Sequence, residues 1–121
     1  MKIDQERQEN AIDFLEGKLQ DCDRDDSFIY KNIGLDHKSF FKLRKGIIKF
    51  KPGIVLGLSY VLRLTYDETI EFYKKAGLYP YTEFEIKLLD EIKKDNYSIN
   101  IEKYFNDAGY EIIKSQKKET N

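Results

Sequence analysis

The chain has few of the residues on which extracellular and membrane proteins depend. Its 121 residues include one cysteine, one histidine, two prolines and no tryptophan. A single cysteine excludes an intramolecular disulfide framework and is typical of a reducing compartment. The sequence has no stretch approaching 18 apolar residues and no apolar segment behind a charged N-terminus. We therefore expect neither a membrane span nor secretion and predict a cytoplasmic protein.

Motifs of common catalytic and metal sites are also missing. The sequence contains no glycine-rich phosphate loop, no Cys-x-x-Cys, no H-E-x-x-H and no G-x-S-x-G, and a lone His37 lacks the partners of a triad or metal site. Aspartates in the segment 21–25 match the start of a calcium loop, but Asp26 and Asn32 occupy the positions that require glycine and a bidentate glutamate. We predict no enzymatic activity, no cofactor and no metal, and we assign these aspartates to helix capping.

Apolar side chains recur at helical spacing along most of the chain, and no segment alternates in the way that a strand requires. The pattern predicts helices at about 5–20, 26–33 and 36–45, one from Pro52, one from Asp67 to Gly77, one from Thr82 to Asn96 and one at about 99–108. The helix after Pro52 is the most apolar of them, so it should be the central, buried one. The predicted fold class is all-α.

Capping residues define the third helix most clearly. Asp36 can accept hydrogen bonds from the free amides of the first turn, and Gly46 is a natural stop. Between them, Phe40 and Leu43 lie three residues apart and should turn towards the core. One of residues 25–27 should cap the preceding short helix in the same way.

Charge is distributed unevenly along the chain. The segment 37–55 contains six lysines and arginines and no aspartate or glutamate, whereas residues 1–36 contain five basic and ten acidic side chains. A local basic surface can attract a polyanion although the net charge of the chain is −1. This segment has two interpretations. Either it contacts nucleic acid, or it forms a solvated or protein-binding face.

The order of features in residues 28–53 is a short helix, a turn at Gly34-Leu35, a capped helix, a glycine stop and Lys51-Pro52. This order resembles the lambda-repressor-like (Cro/repressor, XRE-type) helix-turn-helix family of bacterial and phage regulators. The resemblance implies a five-helix domain over about residues 5–77, with one or two additional C-terminal helices at about 82–108. We expect one domain of residues 1–112 and a polar, flexible tail at 113–121.

The resemblance also implies a function, a transcriptional regulator that binds double-stranded DNA as a homodimer through its C-terminal helices. The helix at 36–45 would then enter the major groove. The residues expected to contact bases are His37, Lys38, Phe41 and Lys42, and those expected near phosphates are Ser39, Arg44, Lys45, Lys49 and Lys51. Phe41 and the overall acidity favour an alternative, a protein-interaction module or phage-encoded inhibitor with the same fold.

Tyrosines are numerous after residue 59, and most have helical spacing. That spacing favours positions at the edge of the core, where the ring is buried and the hydroxyl keeps a polar partner. A dimer surface and base stacking are the alternatives.

Overall fold

Six α-helices and their connecting turns form the part of the chain that the structure describes, and no strand occurs in that part. The structure is a computed structural model that describes residues 2–79, 83–98, 100 and 103–104, without the side chains of residues 2–7 and 84. The helices are α1 Lys2–Asp21, α2 Asp26–Asn32, α3 His37–Arg44, α4 Pro52–Val61, α5 Tyr66–Lys75 and α6 Glu83–Lys93. The all-α prediction and its first six helices are confirmed.

The predicted cap at Thr82, most of the seventh helix at 99–108 and the tail at 113–121 lie outside the described residues. None of the described helices is both long and apolar enough to cross a membrane.

Two aspartates cap the N-termini of α2 and α3. The side chain of Asp25 accepts a hydrogen bond from the backbone N–H of Phe28 at 2.9 Å, which starts α2. Asp36 accepts from the N–H of Ser39 at 2.8 Å and starts α3 in the same way. Each bond satisfies an amide that has no partner within the helix, and removing such a cap costs about 1 kcal/mol.

Helix α5 begins at Tyr66, one residue earlier than predicted. Thr65 is the N-cap, because its hydroxyl accepts from the N–H of Glu68 at 3.1 Å while the Glu68 carboxylate accepts from the N–H of Thr65 at 2.9 Å. This reciprocal pair is a capping box. Asp67 therefore lies inside the first turn, where its charge suits the helix dipole, instead of beginning the helix.

Helix α3 ends at the predicted glycine. Gly46 has a φ of +80°, and its N–H donates to the carbonyl of Leu43 while the N–H of Ile47 donates to that of Lys42. These two bonds form a Schellman motif, which requires a left-handed residue. A side chain at position 46 would also bring its Cβ to 3.4 Å from Cδ1 of Ile12 on α1.

Helix α4 lies at the centre of the fold and packs against α2, α5 and α6. Every residue from Gly53 to Tyr60 is buried, as the apolar sequence predicted. Aromatic rings also pack within the core. The ring of Phe72 on α5 lies 5.1 Å from that of Phe14 on α1 and 5.5 Å from that of Phe50. Burying side chains of this size stabilises the fold by about 1.5–3 kcal/mol each.

Three tyrosines confirm the expectation that their rings lie at the core edge. The hydroxyl groups of Tyr60, Tyr73 and Tyr97 donate to the backbone carbonyls of Asn96, Pro52 and Leu64. The rings of Tyr60 and Tyr97 are 5.3 Å apart, so the segment after α6 is held against the end of α4. Burial raises the pKa of Tyr97 above its usual value, because the charged phenolate would lose its hydration there.

Candidate functional site

A four-residue connection sets the position of α3 relative to α2. Ile33 and Leu35 point into the core and are almost fully buried, and Gly34 between them has a φ of +77°. The N–H of Leu35 donates to the carbonyl of Tyr30 at 2.9 Å, which closes the turn before Asp36 caps α3. The buried side chains of Ile33 and Leu35, on either side of Gly34, therefore determine where α3 begins.

Helix α3 has a buried side and an exposed side. Ser39, Phe40 and Leu43 are buried, with Phe40 at 2% and Leu43 at 0% exposure. The exposed side holds all four residues expected to contact bases, namely His37, Lys38, Phe41 and Lys42. Their spacing of i, i+1, i+4 and i+5 places them together on one helix face. The structure thus brings these four side chains to one accessible surface.

The loop after α3 also carries exposed lysines. Lys45, Lys49 and Lys51 are exposed. Phe50, between Lys49 and Lys51, is buried, with only 5% of its surface exposed. The loop is fastened to α1 by one side chain, Gln8, which donates to the carbonyl of Ile48 at 2.8 Å and accepts from the N–H of Phe50 at 3.3 Å. Gln8 therefore holds the backbone of this loop against α1, and the buried Phe50 side chain anchors the loop in the core.

None of the five lysines at positions 38, 42, 45, 49 and 51 forms an ion pair with a described residue. Elsewhere, Lys18 pairs with Glu68 at 2.7 Å, and this contact lowers the pKa of that carboxyl group. The charges of these five lysines therefore have no ion-pair partner in the described part of the chain, and such a local concentration of positive charge can attract phosphate groups.

Arg44 differs from these lysines because its charge is already compensated. Its Nε and Nη2 donate to both carboxylate oxygens of Glu16 on α1 at 2.7 Å, and Nη1 donates to Asp26 on α2 at 2.7 Å. The guanidinium also lies 5.5 Å from the ring centre of Phe40. The hydrogen bonds to Glu16 raise the pKa of Arg44 above its usual value. Arg44 thus joins three helices.

Ser39 is 5% exposed, so it presents little surface to a ligand. Of the nine residues that the sequence assigns to DNA contact, seven are exposed on α3 or in the loop after it, and Ser39 and Arg44 are set apart by burial and by pairing.

Two large apolar side chains lie within the basic surface. Phe41 is 52% exposed at the middle of α3, and Ile47 is 67% exposed in the loop. Lys45, four residues after Phe41, places its Nζ 5.5 Å from the centre of the Phe41 ring, a cation–π distance. Exposed apolar groups of this size often mark a contact surface.

The two aspartates at the start of α2 have structural partners. Asp25 caps α2 and Asp26 pairs with Arg44. Together with Glu16, His37 and Phe41 they line an open groove of about 940 Å³. Their charges are partly offset by these contacts, so they oppose an approaching phosphate less than their number suggests.

The sequence did not reveal the two residues that position this surface. Gln8 and Glu16 are polar residues of α1 whose partners lie 40 and 28 residues away. Polar residues are common on such a helix, and no local pattern distinguishes these two from their neighbours. Their roles depend on which part of α3 and its loop crosses α1.

Comparison of the chain with protein-family models, with curated proteins and with solved structures finds no match.

Proposed function

We propose that this protein is a DNA-binding transcriptional regulator of bacterial or phage type, with a lambda-repressor-like helix-turn-helix formed by α2, the turn 33–36 and α3. The observation that carries the proposal is the set of five exposed lysines on α3 and in the loop after it, which have no ion-pair partner among the described residues. The proposal places α3 in the major groove of double-stranded DNA in the cytoplasm, with His37, Lys38, Phe41 and Lys42 towards the bases.

The dimensions of α3 suit this role. Helix α3 has eight residues and is about 12 Å long. With its side chains an α-helix is about 10–12 Å in diameter, which matches the width of about 12 Å of the major groove of B-DNA. Lys45, Lys49 and Lys51 follow the C-terminal end of α3, where cations can approach the sugar-phosphate backbone while the start of the helix approaches the bases. Lysine side chains can donate to guanine O6 and N7 or to phosphate oxygens.

Counterion release gives this proposal a quantitative test. If the three lysines assigned to the backbone, Lys45, Lys49 and Lys51, neutralise phosphates, the slope of log affinity against log salt should be about −3. Affinity for a random duplex should then fall by about 40-fold between 50 and 200 mM salt. Fluorescence polarisation with a labelled duplex pool measures both values.

A matched pair of charge variants separates this surface from a general charge effect. The test variant changes Lys38, Lys42 and Lys45 to Glu. The control variant makes the same change at three exposed cations outside both the proposed DNA surface and the groove on α6, namely Lys31, Arg63 and Lys74. The test variant should lose binding, and the control should retain most of it. Equal loss in both variants, or no binding of the wild type at low salt, would rule out the proposed interface.

The proposal includes a homodimer formed through the C-terminal helices. Ile86 of α6 is 54% exposed and lies in a groove with Tyr66 and Leu89, which offers apolar surface for a second copy. A dimer would engage two half-sites about 34 Å apart, or multiples of that spacing. Sedimentation equilibrium should give twice the chain mass, and a monomer at all concentrations, with or without DNA, would contradict this part.

A second candidate function is protein binding by the same surface, and the exposure of Phe41 and Ile47 favours it. Aromatic side chains with flanking cations are common at the centres of protein interfaces. Phe41→Ala distinguishes the two functions. It should abolish capture of a protein partner, whereas in a DNA-binding protein it should change sequence preference and leave salt-dependent, non-specific binding largely intact.

A further inference from the structure

We propose that the surface of α3 recognises the C5-methyl group of thymine through Phe41, so that the protein prefers sites with a thymine at one defined position. This inference depends on the proposed DNA-binding function. Phe41 carries it because it is 52% exposed on the face of α3 that also holds His37, Lys38 and Lys42.

The chemistry of the Phe41 side chain restricts what it can recognise. A phenyl ring neither donates nor accepts a conventional hydrogen bond, so it cannot read the polar edges of a base pair. In the major groove of unmodified DNA, the one apolar group on the base edges is the thymine methyl. A ring in the middle of the helix face is therefore complementary to thymine and leaves the polar groups of other bases without a partner.

The neighbours of Phe41 favour thymine over cytosine as well. Lys38 and Lys42 can donate hydrogen bonds but cannot accept them. Thymine presents the O4 acceptor beside its methyl group, whereas cytosine presents the N4 amino donor. A lysine beside the ring would meet a partner on thymine and an unfavourable donor on cytosine. This comparison also disfavours 5-methylcytosine, which has the methyl group but keeps the amino donor.

Lys45 limits how the Phe41 ring can move. Its Nζ lies 5.5 Å from the ring centre, one helical turn further along α3. Such an i, i+4 pair stabilises one arrangement of the two side chains. With Lys45 in this position the Phe41 side chain is still 52% exposed, so it remains accessible to a ligand.

Phe28 on α2 is a matched control for Phe41. It is also a partly exposed phenylalanine, at 36%, with a cation nearby, since Arg24 lies 4.4 Å from its ring centre. It lies on α2 and not on the exposed face of α3. Phe28→Ala removes the same atoms as Phe41→Ala from a different place.

The experiment begins with selection of duplexes from a random pool by the wild-type protein at 50 mM salt. Each thymine of the enriched sequence is then replaced in turn by deoxyuridine, which lacks only the methyl group. At one position per half-site, affinity should fall about fourfold, the effect expected for one buried methyl group. Phe41→Ala should bind the thymine and deoxyuridine duplexes equally, and Phe28→Ala should behave like the wild type. Replacing the sensitive T·A pair by 5-methylcytosine·G should not restore binding.

Each contrary outcome has a distinct meaning. If the wild type binds every deoxyuridine duplex as well as the original, or if Phe41→Ala keeps the fourfold difference, the thymine inference is wrong and the DNA-binding function stands. Restored binding with 5-methylcytosine would show that Phe41 recognises a methylated pyrimidine in general and would overturn the preference for thymine. If no duplex is enriched at 50 mM salt, the proposed function fails, and the inference fails with it.

Discussion

Separating Glu16 from Arg44 should weaken the attachment of α3 to the rest of the fold. The guanidinium makes two parallel hydrogen bonds of 2.7 Å to Glu16, and the side chains are only 28% and 36% exposed. Exposed ion pairs contribute about 0–1 kcal/mol, whereas charge-assisted hydrogen bonds contribute about 1.5–3 kcal/mol. With partial screening by solvent, we expect a coupling energy of about 1 kcal/mol between the two residues.

The measurement is a double-mutant cycle with Glu16→Ala, Arg44→Ala and the double variant, followed by urea unfolding. Arg44→Ala should cost more than Glu16→Ala, about 2 kcal/mol in total, because it also removes the contacts with Asp26 and the Phe40 ring. A loss of that size lowers the melting temperature by roughly 8 °C in a domain of this length.

Salt and a control pair make this prediction stricter. The coupling should decrease in 1 M salt, where the Debye length is only about 3 Å. The pair Lys75 and Glu71, at 3.7 Å and with both side chains more exposed, should couple by only about 0.3 kcal/mol. If the Glu16–Arg44 coupling is no larger than that of the control pair, Arg44 does not hold α3 in the way described.

Three further predictions concern stability. Arg63→Gly should stabilise the fold by about 0.5–1 kcal/mol in chemical unfolding, because Arg63 has a φ of +56° at the end of α4 and glycine adopts this conformation without strain. Asp95, with a φ of +58° after α6, should respond similarly to Asp95→Gly. Destabilisation by both substitutions would contradict this. Ser59→Ala should be neutral or stabilise by up to about 1 kcal/mol, since the buried Ser59 hydroxyl has no hydrogen-bond partner among the residues that the structure describes. A clear loss of stability would refute the assignment. The hydrogen bond from Lys18 lowers the folded-state pKa of Glu68 below its usual 4.5, so its contribution is present above pH 4.5 and lost as pH falls through the folded-state value. The stability difference between the wild type and Glu68→Gln should therefore shrink on acidification, and a difference that grows would show the opposite linkage.

Local sequence was sufficient to predict much of the fold. Asp36 and Gly46 delimit α3 through contacts with residues two or three positions away, and such contacts form whenever the segment is helical. The buried positions of Phe40 and Leu43 followed from their spacing alone. The start of α5 was predicted less well, because Thr65 and Asp67 are both common near a helix start and the capping box with Glu68 decides between them.

The candidate site was predictable to a smaller extent. Spacing on one helix places His37, Lys38, Phe41 and Lys42 on a common face, and the structure agrees. The position of the loop lysines depends on Gln8, which is 40 residues from its partner Ile48. Hydrogen bonds over such separations depend on how helices pack, and helical periodicity does not contain that information.

The sequence by itself determined the helices, their caps and the concentration of positive charge between residues 37 and 55, because propensity, periodicity and charge are properties of neighbouring residues. Only the tertiary structure decided which of those charges remain available to a ligand. An ion pair requires charged nitrogen and oxygen atoms within about 4 Å, and the packing of α1 and α2 against α3 brings Glu16 and Asp26 to Arg44 but no described carboxylate to the five lysines. For this reason Arg44 joins α3 to α1 and α2, while the five lysines have no ion-pair partner among the described residues.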